Sequence, residues 1–134
     1  MNIAFFEPMD KIPTITAQQK GIDFKHKKVY TKPEVIAIKN RYTAMFLKHM
    51  PQKKFEGAIA LKVVFRFPVT KGHHNGEWKI TRPDTDNMLK LLKDCGTGIM
   101  WRDDCQIAME VVMKRYDNPS GIYVEAYELG EIPH

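Results

Sequence analysis

The chain has 134 residues, 43% hydrophobic and 28% charged, an ordinary balance for a single soluble globular domain spanning residues 1–134. Its formal charge of +5 is unevenly placed: residues 1–54 carry 11 Lys and Arg against 4 Asp and Glu, and residues 55–134 carry 10 against 12. Two cysteines exclude a disulfide framework or a cysteine-built zinc site, and no apolar run is long enough to cross a bilayer. The start of the chain lacks the basic-then-apolar pattern of a secretory leader, so a cytoplasmic location is expected. A basic balance favours nucleic acid, acidic membranes or acidic proteins as partners without choosing among them.

Residues Met1 to Phe6 form a short apolar run suited to an edge strand. Residues 7–30, rich in Lys, Pro, Thr and Gln, show weak periodicity and predict an extended arm carrying Lys20, Lys25, Lys27 and Lys28. Thr31-Lys32-Pro33-Glu34 has the pattern of a capping box, and a helix is predicted from there to about Met50, with Val35, Ile38, Tyr42 and Met45 along one side. Pro51 ends it. Residues 58–68 alternate, with Ile59, Leu61, Val63, Phe65 and Phe67 on one face and Lys62 and Arg66 on the other, which predicts a half-buried strand. Residues 69–80 predict a flexible polar loop in which His73 and His74 are solvated rather than metal-bound.

A second helix is predicted from about Asp84. Met88, Leu91, Leu92 and Cys95 recur at i, i+3, i+4 and i+7, a buried stripe with Cys95 as a buried free thiol, and Asp86, Lys90, Lys93 and Asp94 fall opposite. Gly96 and Gly98 are expected to stop the helix. Two strands follow, at about residues 106–116 and 122–129, and the turn signal Asp117-Asn118-Pro119-Ser120-Gly121 predicts that they form a hairpin. The order β-α-β-α-β-β predicts an α+β fold, a mixed sheet packed with two helices.

The chemistry concentrates in Arg82-Pro83-Asp84-Thr85-Asp86-Asn87-Met88-Leu89-Lys90 and in Trp101-Arg102-Asp103-Asp104. Asp84 has a plain structural explanation, since an acid after a proline at a helix start caps backbone N–H groups and complements the helix dipole. Asp86 and Lys90 are likewise spaced as an ordinary i,i+4 pair. One cap needs one acid, however, and this segment has two. The Gly96–Gly98 turn lets the chain double back, so that Asp103 or Asp104 is expected beside the start of the helix or its exposed face. Three converging carboxylates repel unless a cation neutralises them, and their oxygens suit hard ions such as Mg²⁺. A nearby lysine adds charge for a phosphate. Acids of this kind in a basic chain point to a metal-dependent DNA endonuclease, with the lysines holding the nucleic-acid backbone. The alternative is a non-catalytic DNA-binding protein, a phage replication or regulatory factor, whose acids are only caps.

Asp84-x-Asp86-Asn87-x-x-Lys90, followed by Asp94 and by Trp101-x-Asp103-Asp104-x-Gln106-Ile107, resembles the core motif of RusA-type Holliday junction resolvases, phage and prophage endonucleases that cut four-way DNA junctions. The resemblance is specific over about residues 82–116 and weaker over 30–68. It implies a small mixed α/β fold acting as a symmetric homodimer, with Mg²⁺-dependent sites that nick opposed strands of a junction and with Mn²⁺ as a substitute ion. Carried over by position, Asp84, Asp86 and Asp104 match the metal-binding catalytic aspartates and Lys90 the catalytic lysine, with Asp103 as an alternate ligand. Thr16-Ala17-Gln18-Gln19-Lys20 stands where relatives often carry an arginine-containing basic segment, and the spacing from Lys90 to Asp104 is about one residue shorter than in some of them. The strands at 58–68 and 106–129 are expected to leave apolar surface for a dimer interface, with Trp101 and Phe65 as contributors.

Overall fold

In the computed structural model, which describes residues 1–14, 20–23, 28–31 and 33–130, the chain runs β1 (Asn2–Pro8), β2 (Lys20–Asp23), β3 (Lys28–Thr31), α1 (Pro33–Lys48), β4 (Ile59–Phe67), β5 (Glu77–Trp78), α2 (Thr85–Gly96), a 3₁₀ turn (Asp104–Gln106), β6 (Ile107–Tyr116) and β7 (Gly121–Glu128). The fold is α+β: a five-stranded mixed sheet in the order β1-β7-β4-β6-β5, and a separate β2–β3 ribbon. The stretch expected as an extended arm thus contains two paired strands, Lys20–Asp23 antiparallel to Lys28–Thr31. Four-residue strands are too short for their alternation to stand out in sequence.

The strand with the strongest alternation is the centre of the sheet. Ile59, Leu61, Val63, Phe65 and Phe67 of β4 are buried on the helix side, and Ala60 and Val64 are buried on the other, leaving Lys62 and Arg66 half-exposed. β4 runs parallel to β6 and antiparallel to β7. Parallel neighbours cannot be joined by a tight turn and need a crossover of a dozen or more residues, and α2 lies within that crossover. The helix stripe is buried as its spacing predicts, Met88, Leu91, Leu92 and Cys95 joining Val35, Tyr42, Met45 and Phe46 of α1 in one core. Cys95 is a free buried thiol.

The expected hairpin of residues 106–129 does not form. β6 and β7 lie on either side of β4, and the 117–120 connection passes over its end, where the Asp117 N–H donates to the Phe67 carbonyl at 2.9 Å. Spanning two strand spacings takes roughly 10 Å, within reach of so short a link. A strand apolar on both faces gains more from two neighbours than a hairpin would gain by excluding it.

Trp101 and Phe65 are fully buried, so neither lies on an external interface of this fold. Apolar surface is left open on the sheet face away from the helices, where Met109 and Val111 of β6 and Trp78 of β5 are exposed, and also at Ile36 and Leu47 of α1 and at Ile80. The two glycines at the end of α2 have separate tasks. Gly98 takes a left-handed turn (φ +88°), whereas a Cβ on Gly96 would lie 2.7 Å from Cζ2 of Trp101, so Gly96 is the seat of that ring.

Candidate active site

Asp84 is the N-cap residue of α2, with extended backbone (φ −72°, ψ 143°), and its side chain makes no capping hydrogen bond. The capping expected of an acid at this position is therefore not what its carboxylate does. Asp84, Asp86 and Lys90 are all exposed along the first turns of the helix, while Met88 and Leu89 between them face the core. The positive end of the helix dipole favours negative charge here without fixing where each oxygen points.

Two lysines that sequence reasoning missed hold the approach to this helix. Lys114 of β6 donates from Nζ to the carbonyls of Thr81 and Pro83, at 2.6 Å each. Lys79 donates to Thr81 Oγ1 at 2.7 Å and lies over the rings of Phe67 and Tyr116. Burial pulls the Lys114 ammonium below the usual lysine range, the charge of Lys79 pulls it the same way, and Asp84 opposes both. A signal for Lys114 exists in the alternation of β6, where it is in phase with Val112 and the buried Tyr116: a lysine at an inward position of a strand.

The second acidic pair is built differently. Asp103 caps the 3₁₀ turn, its Oδ1 accepting from the Cys105 N–H at 3.0 Å, and Gln106 Oε1 accepts from the N–H groups of Arg102 and Asp103 at 2.8 and 3.1 Å. The same Gln106 side chain donates to the carbonyls of Phe55 and Gly57, both at 3.1 Å, which ties the turn to the lead-in of β4. The Cys105 N–H holds the Asp103 carboxyl below its usual range. Asp104, half-buried, starts the turn next to this reciprocal cap.

Within one chain the two pairs stand apart. α2 runs antiparallel to β6: Lys114, toward the end of the strand, meets Pro83 before the helix, and Glu110, toward its start, pairs with Lys93 in the last helical turn. Asp84 and Asp86 are therefore at one end of α2 and Asp104 lies by the other, and the 12 residues of the helix rise about 18 Å. Of the two places expected for Asp103 or Asp104, the helix start is not met, because β6 begins at the end of the sheet where α2 finishes. Among the described residues no three His, Cys, Asp or Glu side chains form a group able to hold a metal.

His73 and His74 are tied to a partner rather than merely solvated. Both contact the Glu77 carboxylate, His74 at 3.0 Å, and the His73 ring stacks on Tyr116 at 3.9 Å. The bond to His73 is the main reason the Glu77 carboxyl titrates below its usual range. Of the lysines expected to meet DNA, Lys25 and Lys27 lie outside the described residues, while Lys20 and Lys28 open β2 and β3. No helix among the described residues is long and apolar enough to cross a membrane.

Comparison with known proteins bears on the whole fold rather than on the acids alone. The profile of the family described as "Endodeoxyribonuclease RusA" matches residues 11–127, from the lead-in to the β2–β3 ribbon almost to the end of β7. A protein named crossover junction endodeoxyribonuclease rusA, from Lactococcus phage r1t, is 35% identical over 136 residues, covering 96% of this chain and all of that relative. A match of that extent takes in both ends of α2 and the strands that position them, and the chain belongs to the RusA endodeoxyribonuclease family.

Proposed function

We propose that this protein is a Mg²⁺-dependent endonuclease that resolves four-way DNA junctions by paired, symmetric nicks as a homodimer, in DNA recombination and repair. The observation that carries the reading is the exposed Asp84-x-Asp86-Asn87-x-x-Lys90 face at the start of α2, where Asp84 makes no capping bond, in a chain of this family. The donor set fits the ion: Asp84, Asp86 and Asp104 offer only hard carboxylate oxygens, which suit Mg²⁺ and also Mn²⁺. Asp103, engaged with the Cys105 N–H, is the weaker candidate of its pair. A bound ion supplies polarisation of the phosphate and activation of water. Lys90, one turn inside the helix, places positive charge where the phosphate would lie over the two acids.

The distance between the acid pairs is itself an argument for two copies. A chain with Asp84 before one end of a helix that rises about 18 Å and Asp104 by its other end gathers three acids if a second copy brings its own Asp104 to this copy's Asp84 and Asp86. A C2 pair does this twice, giving two equivalent sites for two scission points. Lys20, Lys25, Lys27 and Lys28 would contact phosphates away from the reacting bond. Neutralising them should lower the slope of log affinity against log salt by about 0.9 for each duplex phosphate that a lysine no longer neutralises.

The test is incubation of the purified protein with a labelled four-way junction and a linear duplex control, with Mg²⁺ and with chelator. Symmetric nicks in the junction alone, dependent on the metal, are expected. A protein that binds the junction yet never cuts it in Mg²⁺ or Mn²⁺ is instead the non-catalytic DNA-binding alternative. Sedimentation showing only monomer at micromolar concentration, both free and on a junction, would remove the homodimer.

A further inference from the structure

We propose that Lys114 is a positioning residue of the nuclease site, tying the carbonyls of Thr81 and Pro83 to β6 and so fixing where the Asp84 carboxylate stands. The proposal rests on the reading of Asp84 as a metal ligand.

The 81–84 segment belongs to neither a helix nor a strand. Pro83 lacks an N–H with which to anchor itself, and the Asp84 side chain does not bond back to the helix start. Within α2 the Met88 N–H holds the Asp84 carbonyl at 3.2 Å but no cap bond holds the carboxylate, so where that carboxylate stands depends also on the backbone just before it. That backbone is held from across the fold: both tethered carbonyls, on either side of Arg82, accept from one ammonium 31 and 33 residues further along the chain.

An apolar side chain would fill this inward position of β6 without the cost of desolvating an ammonium. Lys114 is satisfied there by the two carbonyls, which leaves it one further N–H donor. Lys79, bonded to Thr81 Oγ1, braces the same residue. Anchoring of this kind matters for chemistry, because a misplacement of about 1 Å in a reacting group can cost roughly 100-fold in rate.

The experiment compares Lys114→Met, Lys114→Arg and Asp84→Asn with the full wild-type chain. Four quantities are read: Mn²⁺ affinity without DNA by calorimetry, junction affinity in Ca²⁺, single-turnover cleavage, and thermal melting. Lys114→Met is expected to weaken Mn²⁺ binding and slow cleavage by about 10- to 100-fold, as loss of an outer-shell partner does, with junction affinity within about threefold. Lys114→Arg, which keeps a cation with several donors, should recover most of both losses. A merely structural lysine would lower the melting temperature and leave Mn²⁺ affinity untouched. Lys114→Met with Mn²⁺ affinity and cleavage both within about twofold of wild type overturns the proposal. Should Lys114→Met fail to fold, Lys114→Gln, which retains a donor, is judged by the same thresholds. Asp84→Asn that still cuts refutes the reading of the site itself, whereas an inactive Asp84→Asn beside a fully active Lys114→Met refutes only the role of Lys114.

Discussion

The Asp84–Asp86 and Asp103–Asp104 pairs look alike in sequence, each an acidic cluster opening a helical turn, but the fold treats them differently. At Asp103 the cap is reciprocal, with the acid accepting from Cys105 while Gln106 answers to the backbone N–H of Asp103. At Asp84 the cap position is occupied and the bond is not made. A carboxylate that satisfies its own backbone is committed to structure; one that stands at a cap without making that bond is available for a ligand. The difference divides the acids into one structural member, Asp103, and three candidates for chemistry.

The sharpest way to break this division is to neutralise the three candidates singly. Asp84→Asn, Asp86→Asn and Asp104→Asn should each reduce single-turnover junction cleavage by at least about 100-fold, a loss typical of removing one preorganised charged partner. Junction binding and melting temperature should be preserved. Near wild-type cleavage by any of them removes that residue from the site. Lys90→Ala should likewise keep binding and lose rate.

A second substitution acts on the joint between the pairs. Gly96→Ala gains about 1 kcal/mol of helix propensity but drives a methyl group to 2.7 Å from the Trp101 ring and 3.3 Å from Phe46. Both rings are fully buried and cannot give way, so the clash wins. A net destabilisation of about 1–3 kcal/mol is expected in denaturant unfolding.

Asp103→Ala should have the opposite signature from its neighbour. Melting falls by about 2–5 °C as the cap is removed, while cleavage stays within about threefold of wild type. The pH dependence follows from the lowered carboxyl: its contribution is present above the unfolded value of about 3.9 and is lost as pH falls through the lower folded value. The gap in melting temperature between wild type and variant should therefore close in acid. Cleavage damage equal to that of Asp104→Asn would mean that Asp103 is a ligand after all.

The smallest effect is expected at Glu77→Gln, at the start of β5. It removes the carboxylate shared by His73 and His74, an exposed contact, and should lower melting by about 1 °C or less. As for Asp103, this difference should fade in acid, because the Glu77 carboxyl is also lowered in the fold.

Much of this was legible from residue order. The α2 stripe, the apolar face of β4 and the edge strand at the start of the chain are all where periodicity places them, because burial of one face leaves a local signature. Periodicity reports which face is buried and not which strand lies alongside, so the insertion of β4 between β6 and β7 was hidden behind a strong turn signal at 117–121. The same limit applied at the acids. Their identity was evident, but their separation depends on α2 running antiparallel to β6, a fact carried by the long-range bonds of Lys114 and Glu110. Gln106 stood in the motif without an apparent task, since both carbonyls to which it donates belong to residues about fifty positions earlier.

The position of β7 has a consequence for how the molecule is made. Among the described residues β1 pairs only with β7, and β7 also closes one side of β4. During synthesis the segment Asn2–Pro8 must therefore wait for Gly121–Glu128 to leave the ribosome before it finds its place. Until then β4, the most apolar strand, has an open edge. Such late, non-local closure makes for slow folding and a vulnerable interval. A translation product halted before Gly121 would expose that edge to self-association rather than form a smaller working enzyme.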